Sequence, residues 1–126
     1  MTVFTNKGLE YDAKLFCGVS VAPFQYVALG SGTDAEAVGN TALTTELAAN
    51  GLSRALGTES YEADYIAVVE HTHTCTADGQ TVWEVGLFDT AVTGGNMAIR
   101  KKFASVKNLD NGEKIKNTFK VTKARA

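Results

Sequence analysis

Three side chains able to ligate a metal, His71, His73 and Cys75, stand at alternate positions. On a strand, alternate positions project to one face, so two imidazoles and a thiol would line up in a way that suits zinc. A fourth ligand would have to come from elsewhere; Cys17, the other thiol, or Glu84 on a neighbouring strand are the choices. A plainer reading competes. Thr72, Thr74 and Thr76 flank these residues, and His71, His73 and Cys75 share the parity of Tyr61 and Tyr65, so the histidines can simply sit at the frayed or solvent end of a core face. The expectation is that no metal or other cofactor is bound, with His71, His73 and Cys75 kept as ligand candidates.

Other chemistry is thinner still. Neither histidine has a serine or cysteine nucleophile in a recognisable context, so no catalytic set is expected and the chain reads as a non-enzyme. Gly30-Ser31-Gly32-Thr33 is glycine-rich, but it lacks both the lysine of a phosphate-cradling loop and the third glycine of the dinucleotide fingerprint. It reads as a turn. Cys17 and Cys75 are too few for a disulfide framework and read as reduced, largely buried thiols.

The elements that position these residues follow from periodicity. The centre of the chain is TVWEVGLFDTAVTGGNMAIRKKF, Thr81 to Phe103. Val82 to Phe88 is an apolar, β-prone run. Met97 to Phe103 alternates, with Met97, Ile99 and Phe103 on one face and Arg100 and Lys102 on the other; turn formers lie between the two runs. The spacing predicts a long-looped β-hairpin, with Trp83 and Phe88 in the core and a weak cross-strand pair between Glu84 and Arg100. Phe24 to Gly30 predicts a strand covered on both faces, and Ser53 to Gly57 a short strand or linker. Tyr61 to Thr76 alternates strictly and predicts one long strand; Lys114 to Thr122 predicts a half-buried strand with a basic outer face. Asp78-Gly79 and Asp110-Asn111-Gly112 are turn signals. Two helices are expected in the N-terminal half. One spans 5–19, capped by Asn6 and docked through Leu9, Ala13 and Phe16; the other lies over 41–51, with Leu43 and Leu47 as its apolar stripe. The fold class is therefore mainly β: an antiparallel sandwich or partly closed barrel with two short helices, the first of which could plug one end.

The 126 residues, 44% of them hydrophobic, fit a single β-rich domain, 1–126, with an extended N-terminal arm over about residues 1–7. No apolar stretch approaches the ~20 residues of a membrane span, and the N-terminus lacks a signal-peptide pattern, so synthesis and folding in a cytoplasm are expected, with no membrane partner. Net charge is −2, but it is unevenly distributed. Residues 1–99 hold three basic and twelve acidic side chains; residues 100–126 hold nine basic and two acidic ones. Such a dipolar subunit can lay one end on an acidic partner or on a copy of itself. The basic third is mostly lysine, and the aromatic side chains of its strand fall on the other parity, so nucleic-acid binding is not expected.

The stretch FQYVALGSGTDAEAVGNTALTTELAANGLSRA, Phe24 to Ala55, then Glu84 to Phe88, then Gly94 to Phe103 and a lysine-rich closing strand, form an ordered set. That set resembles small bacteriophage virion proteins and is similar to the N-terminal attachment region of phage tail fibres, over roughly residues 20–122. The chain carries no fibre shaft, heptads or receptor-binding tip up to Ala126, so the resemblance implies a free-standing decoration (cement) protein. Its partners would be the major capsid protein and copies of itself, as a dimer or trimer, on the capsid exterior of the virion. A tail or baseplate adaptor for a separate fibre is the alternative, and a metal-binding protein built on His71, His73 and Cys75 the third. The expected contacts are the basic segment Arg100, Lys101, Lys102 and Lys107, with Met1, Thr2, Val3, Phe4 and Lys7 of the arm.

Overall fold

The computed structural model describes residues 2–63 and 65–123. Eight strands and one helix are present among them: β1 (Thr2–Phe4), α1 (Asn6–Phe16), β2 (Tyr26–Gly30), β3 (Ala55–Leu56), β4 (Thr58–Glu62), β5 (Ile66–Thr74), β6 (Gln80–Phe88), β7 (Met97–Leu109) and β8 (Lys114–Thr122). They form two antiparallel sheets, a five-stranded one in the order β1-β7-β6-β2-β3 and a three-stranded one in the order β4-β5-β8. The class is mainly β and sandwich-like, with no closed barrel. No helix among the described residues is long and apolar enough to cross a membrane.

The central hairpin forms as its pattern predicts. β6 and β7 pair with Leu87 opposite Ile99 and Val85 opposite Lys101. A register shift beside Leu87 separates Met97 from Ile99: Ile99 joins the core between the sheets, whereas Met97 joins Phe88, Ala28 and Leu43 in a second cluster on the opposite face. The expected common face for these two residues is therefore not found. Phe88 is fully buried, but Trp83 is only half-buried.

Gly57 joins the sheets at one side. It is the single residue between β3, which pairs with β2, and β4, which pairs with β5. Its N–H donates to the Gln25 carbonyl at 2.7 Å, and a methyl at this position would press on Val69 and the Glu70 carbonyl. Only a residue without Cβ lets the chain turn this corner while two strands close on it. On the opposite side β7 runs into β8 through the turn at 110–113, but among the described residues β8 pairs with neither β7 nor β1.

Three expectations about elements are corrected. Tyr61 to Thr76 is not one strand but part of the β4–β5 hairpin, with Glu62 opposite Ile66. Both arms of a hairpin carry the same alternation, and the turn uses Tyr65 at φ 67° where a glycine signal would have marked it. The helix over 41–51 is absent. Leu47 N–H donates to the Leu29 carbonyl and Ser31 N–H to the Thr45 carbonyl, so this segment runs beside the end of β2 as a loop. Thr41, Thr44 and Thr45 favour helix weakly, and tertiary partners outcompete it. Finally, α1 is capped by Thr5, whose hydroxyl accepts from Gly8 N–H at 3.0 Å, and not by Asn6. It docks through buried Gly8, where a Cβ would collide with Ala98 of β7, while Leu9 and Phe16 are 57% and 94% exposed. Helix α1 still lies across one end of the sandwich. There it covers a cavity of about 120 Å³ lined by Leu15, Phe24, Val69 and Phe119, among others.

The extended arm is corrected as well. Thr2–Phe4 is an edge strand, with Val3 opposite Arg100, and Asn6 onward is helix. Met1 lies outside the described residues.

Candidate functional site

The histidine–cysteine triad does not assemble. His73 is buried, and its Nε2 lies 3.0 Å from the Ser53 carbonyl. His71 meets it edge to face at 4.5 Å between ring centroids. The Cys75 thiol donates to the Ala77 carbonyl at 3.0 Å, and Cys17 is an exposed residue just past the end of α1, contrary to the expectation that both thiols are buried. Glu84 is committed elsewhere, as described below. Among the described residues no group of three or more His, Cys, Asp or Glu side chains is placed to hold a metal.

Burial pushes the pKa of His73 from 6.5 down to about 4, and the neighbouring His71 adds to the shift. The folded chain thus refuses a proton that the unfolded chain accepts. Stability is complete above pH 6.5 and falls as pH drops toward 4. Between those values the Tm is expected to fall by roughly 10 °C through this group, and His73→Gln should flatten that part of the profile. Scanning calorimetry across the window checks this.

The polar residues that do converge lie on the other face of the five-stranded sheet. Arg100 of β7 and Glu84 of β6 form an ion pair at 2.7 Å, with 1% and 0% of their side chains exposed. The same guanidinium donates to the carbonyls of Ala35 and Asp34 at 3.0 and 2.9 Å, and to Thr44 and Asn40 side chains. The other carboxylate oxygen of Glu84 accepts from Thr45 N–H at 3.1 Å. The two strands thereby grip both limbs of the 31–54 loop. The glycines of Gly30-Ser31-Gly32 have their reason here: a methyl at either would strike the Glu84 carboxylate. Arg100 was expected on the contact surface; it is a buried clamp, because the loop covers the face that alternation alone would leave open.

A second clamp stands beside the first. Arg54 forks onto Glu46 at 3.0 and 2.7 Å, and its remaining nitrogen donates to the carbonyls of Thr90, Val92 and Gly94. The guanidinium lies over the Phe88 ring at 3.7 Å. It ties the 31–54 loop to the tip of the central hairpin, which Asp89 and Asn96 close with hydrogen bonds of their own. Bidentate geometry and stacking on an aromatic ring are what arginine provides and lysine does not. Neither Arg54 nor Glu46 was singled out from the sequence for chemistry. A signal existed, since Arg54 is the sole arginine in the acidic first 99 residues.

The remaining contact candidates are spread out. Lys101 and Lys107 are exposed; Lys102 is half-buried, with its backbone N–H donating to Glu36. Thr2 is exposed, Phe4 and Lys7 are half-buried, and Lys7 pairs with Glu10 at 2.8 Å. Val3 is 5% exposed and belongs to the core, so it too leaves the contact set. On β8, Lys114, Lys116 and Lys120 are exposed; Lys116 and Lys120 lie 3.5 and 3.1 Å from Glu70 and Glu62. Acidic and basic halves of the sequence thus meet partly on one sheet face, and among the described residues Lys101, Lys107 and Lys114 form no ion pair. Compared with protein-family models and with curated proteins, the chain matches none of them.

Proposed function

We propose that this protein is a non-enzymatic structural subunit of a bacteriophage virion, and within that class a capsid decoration (cement) protein. The observation that carries the reading is the use made of its polar signature. Gly30, Gly32, Glu46, Arg54, Glu84 and Arg100 belong to the ordered segments that resemble phage virion proteins, and they build the two clamps that hold one long loop on one sheet. Residues that in an enzyme would face a substrate here fix a surface in place. A stiff brick with a lysine-bearing edge suits a subunit whose work is to bind a lattice.

The mechanism is mass action. A subunit that binds the assembled shell and not its free components stabilises the shell by an amount that grows with free subunit over Kd. Repetition over many equivalent sites multiplies a modest contact. Exposed Lys101 and Lys107, with Lys102, are the contact residues proposed for the acidic lattice partner.

Neutralising Lys101, Lys102 and Lys107 together should lower occupancy on purified shells about tenfold at low salt. The difference should shrink as salt rises, because the wild-type chain loses its electrostatic advantage while the variant has none to lose. Co-sedimentation at stepped ionic strength measures both. Equal occupancy of variant and wild type at every salt concentration would remove these lysines from the contact.

A further inference from the structure

Strand β8 is nine residues long and, among the described residues, is hydrogen-bonded to a neighbour on one side only, β5. Across from its free edge stands the edge of the other sheet, where β1 covers β7 only from Ile99 to Lys101. Between these edges runs a groove of about 610 Å³. Its floor is apolar, with Val85, Ile99, Phe103 and Phe119, and its rim carries Lys101, Lys116 and Lys120. None of the described residues that line this groove is acidic.

We propose that this groove takes up an extended, acidic segment of a partner protein, which adds to β8 as a further strand and closes the open side of the sandwich. A free strand edge supplies unpaired N–H and C=O groups in register, the usual template for strand addition. Alternation along β8 sets the pattern the segment must carry. Lys116 and Lys120 share the outer face, so carboxylates at alternate positions of the added strand meet them. Ile115 and Phe119 share the inner face, so the intervening positions are apolar. Asn117 falls among the inner ones and lines the groove; among the described residues its buried Nδ2 donates to no group, so a small side-chain rotation on strand addition would give it a partner. Lys101 faces inward from the opposite wall, since it stands opposite Val85 on the core side of β6. It forms no ion pair among the described residues, so its charge is left for an acidic segment in the groove. The pairs Lys116–Glu70 and Lys120–Glu62 are exposed at both ends and so hold these lysines weakly.

A second copy of the chain fits this edge poorly. Antiparallel pairing of β8 with its own copy would set lysines against lysines on one face, and like charges directly opposite destabilise a sheet. The proposal builds on the basic contact surface described above, but its test needs no virion, so the two can fail separately.

The test uses purified full-length chain and a synthetic peptide alternating Glu with Val, followed by NMR and amide hydrogen exchange. Expected are slowed exchange at the β8 amides not bonded to β5 and shift changes at Lys101 and Asn117, with none at β4. Lys101→Glu, which breaks no ion pair of the fold, should weaken binding about tenfold, and the Lys116→Gln/Lys120→Gln pair should do so independently. Equal binding of the Lys–Val counterpart would overturn the proposal, as would equal binding of an oligothymidine of matched charge, which would mark a general polyanion surface. No protection along β8, or self-association through β8, would overturn it too.

Discussion

Arg100→Met should destabilise the fold by about 3–5 kcal/mol. The change keeps most of the side-chain volume and removes the charge. Glu84, with none of its side chain exposed, is then left as a buried carboxylate whose remaining partner is the Thr45 N–H. The carbonyls of Asp34 and Ala35 lose their donors at the same time. Breaking one side of a buried pair is costly because the other charge stays buried; removing both sides is much less so. The double variant Glu84→Gln/Arg100→Met should therefore lose less than the sum of the two single changes. Urea denaturation of all four proteins supplies the cycle, and strict additivity would show that the two side chains act independently.

Arg54→Ala should cost about 3 kcal/mol or more. It strips Glu46 of a bidentate partner, leaves the carbonyls of Val92 and Gly94 to share the single Thr90 hydroxyl, and uncovers the Phe88 ring. The loss should be local before it is global: amide exchange should quicken first over 89–96 and 44–47, with β5 and β8 unaffected. Arg54→Lys should recover only a minor part, since a single ammonium cannot fork onto Glu46 and reach the 90–94 carbonyls together. Full stability in the lysine variant would mean that charge alone, without geometry, holds the hairpin tip.

The parts of the fold legible in the sequence are those that a period of two can encode. β8 was expected at Lys114 to Thr122 and is found there, and the β6–β7 hairpin has its turn residues where Asp89 to Asn96 placed them. Periodicity failed where two solutions share one pattern. The β4–β5 hairpin and a single long strand alternate alike, and nothing at 63–65 carries the glycine that would have separated them. It failed again where partners distant in sequence decide the outcome. Leu43 and Leu47 are spaced for a helix, yet Thr45 and Glu46 are claimed by Glu84 and Arg54, and the loop stays extended. The clamp itself was half visible. A Glu84–Arg100 pair was expected, but as a weak exposed one; its burial depends on a loop whose path no local pattern specifies. The metal candidates failed for a related reason: one strand face aligned them, but Ser53 and Ala77 carbonyls took up His73 and Cys75 singly.

The reading of this chain as a reinforcing subunit of a viral shell is tested most directly by counting its copies in purified virions by quantitative mass spectrometry, with labelling to locate them. Many copies distributed over the capsid exterior, in a fixed ratio to the major shell protein, are expected. A few copies confined to the tail, or none that sediment with the particle, would contradict it.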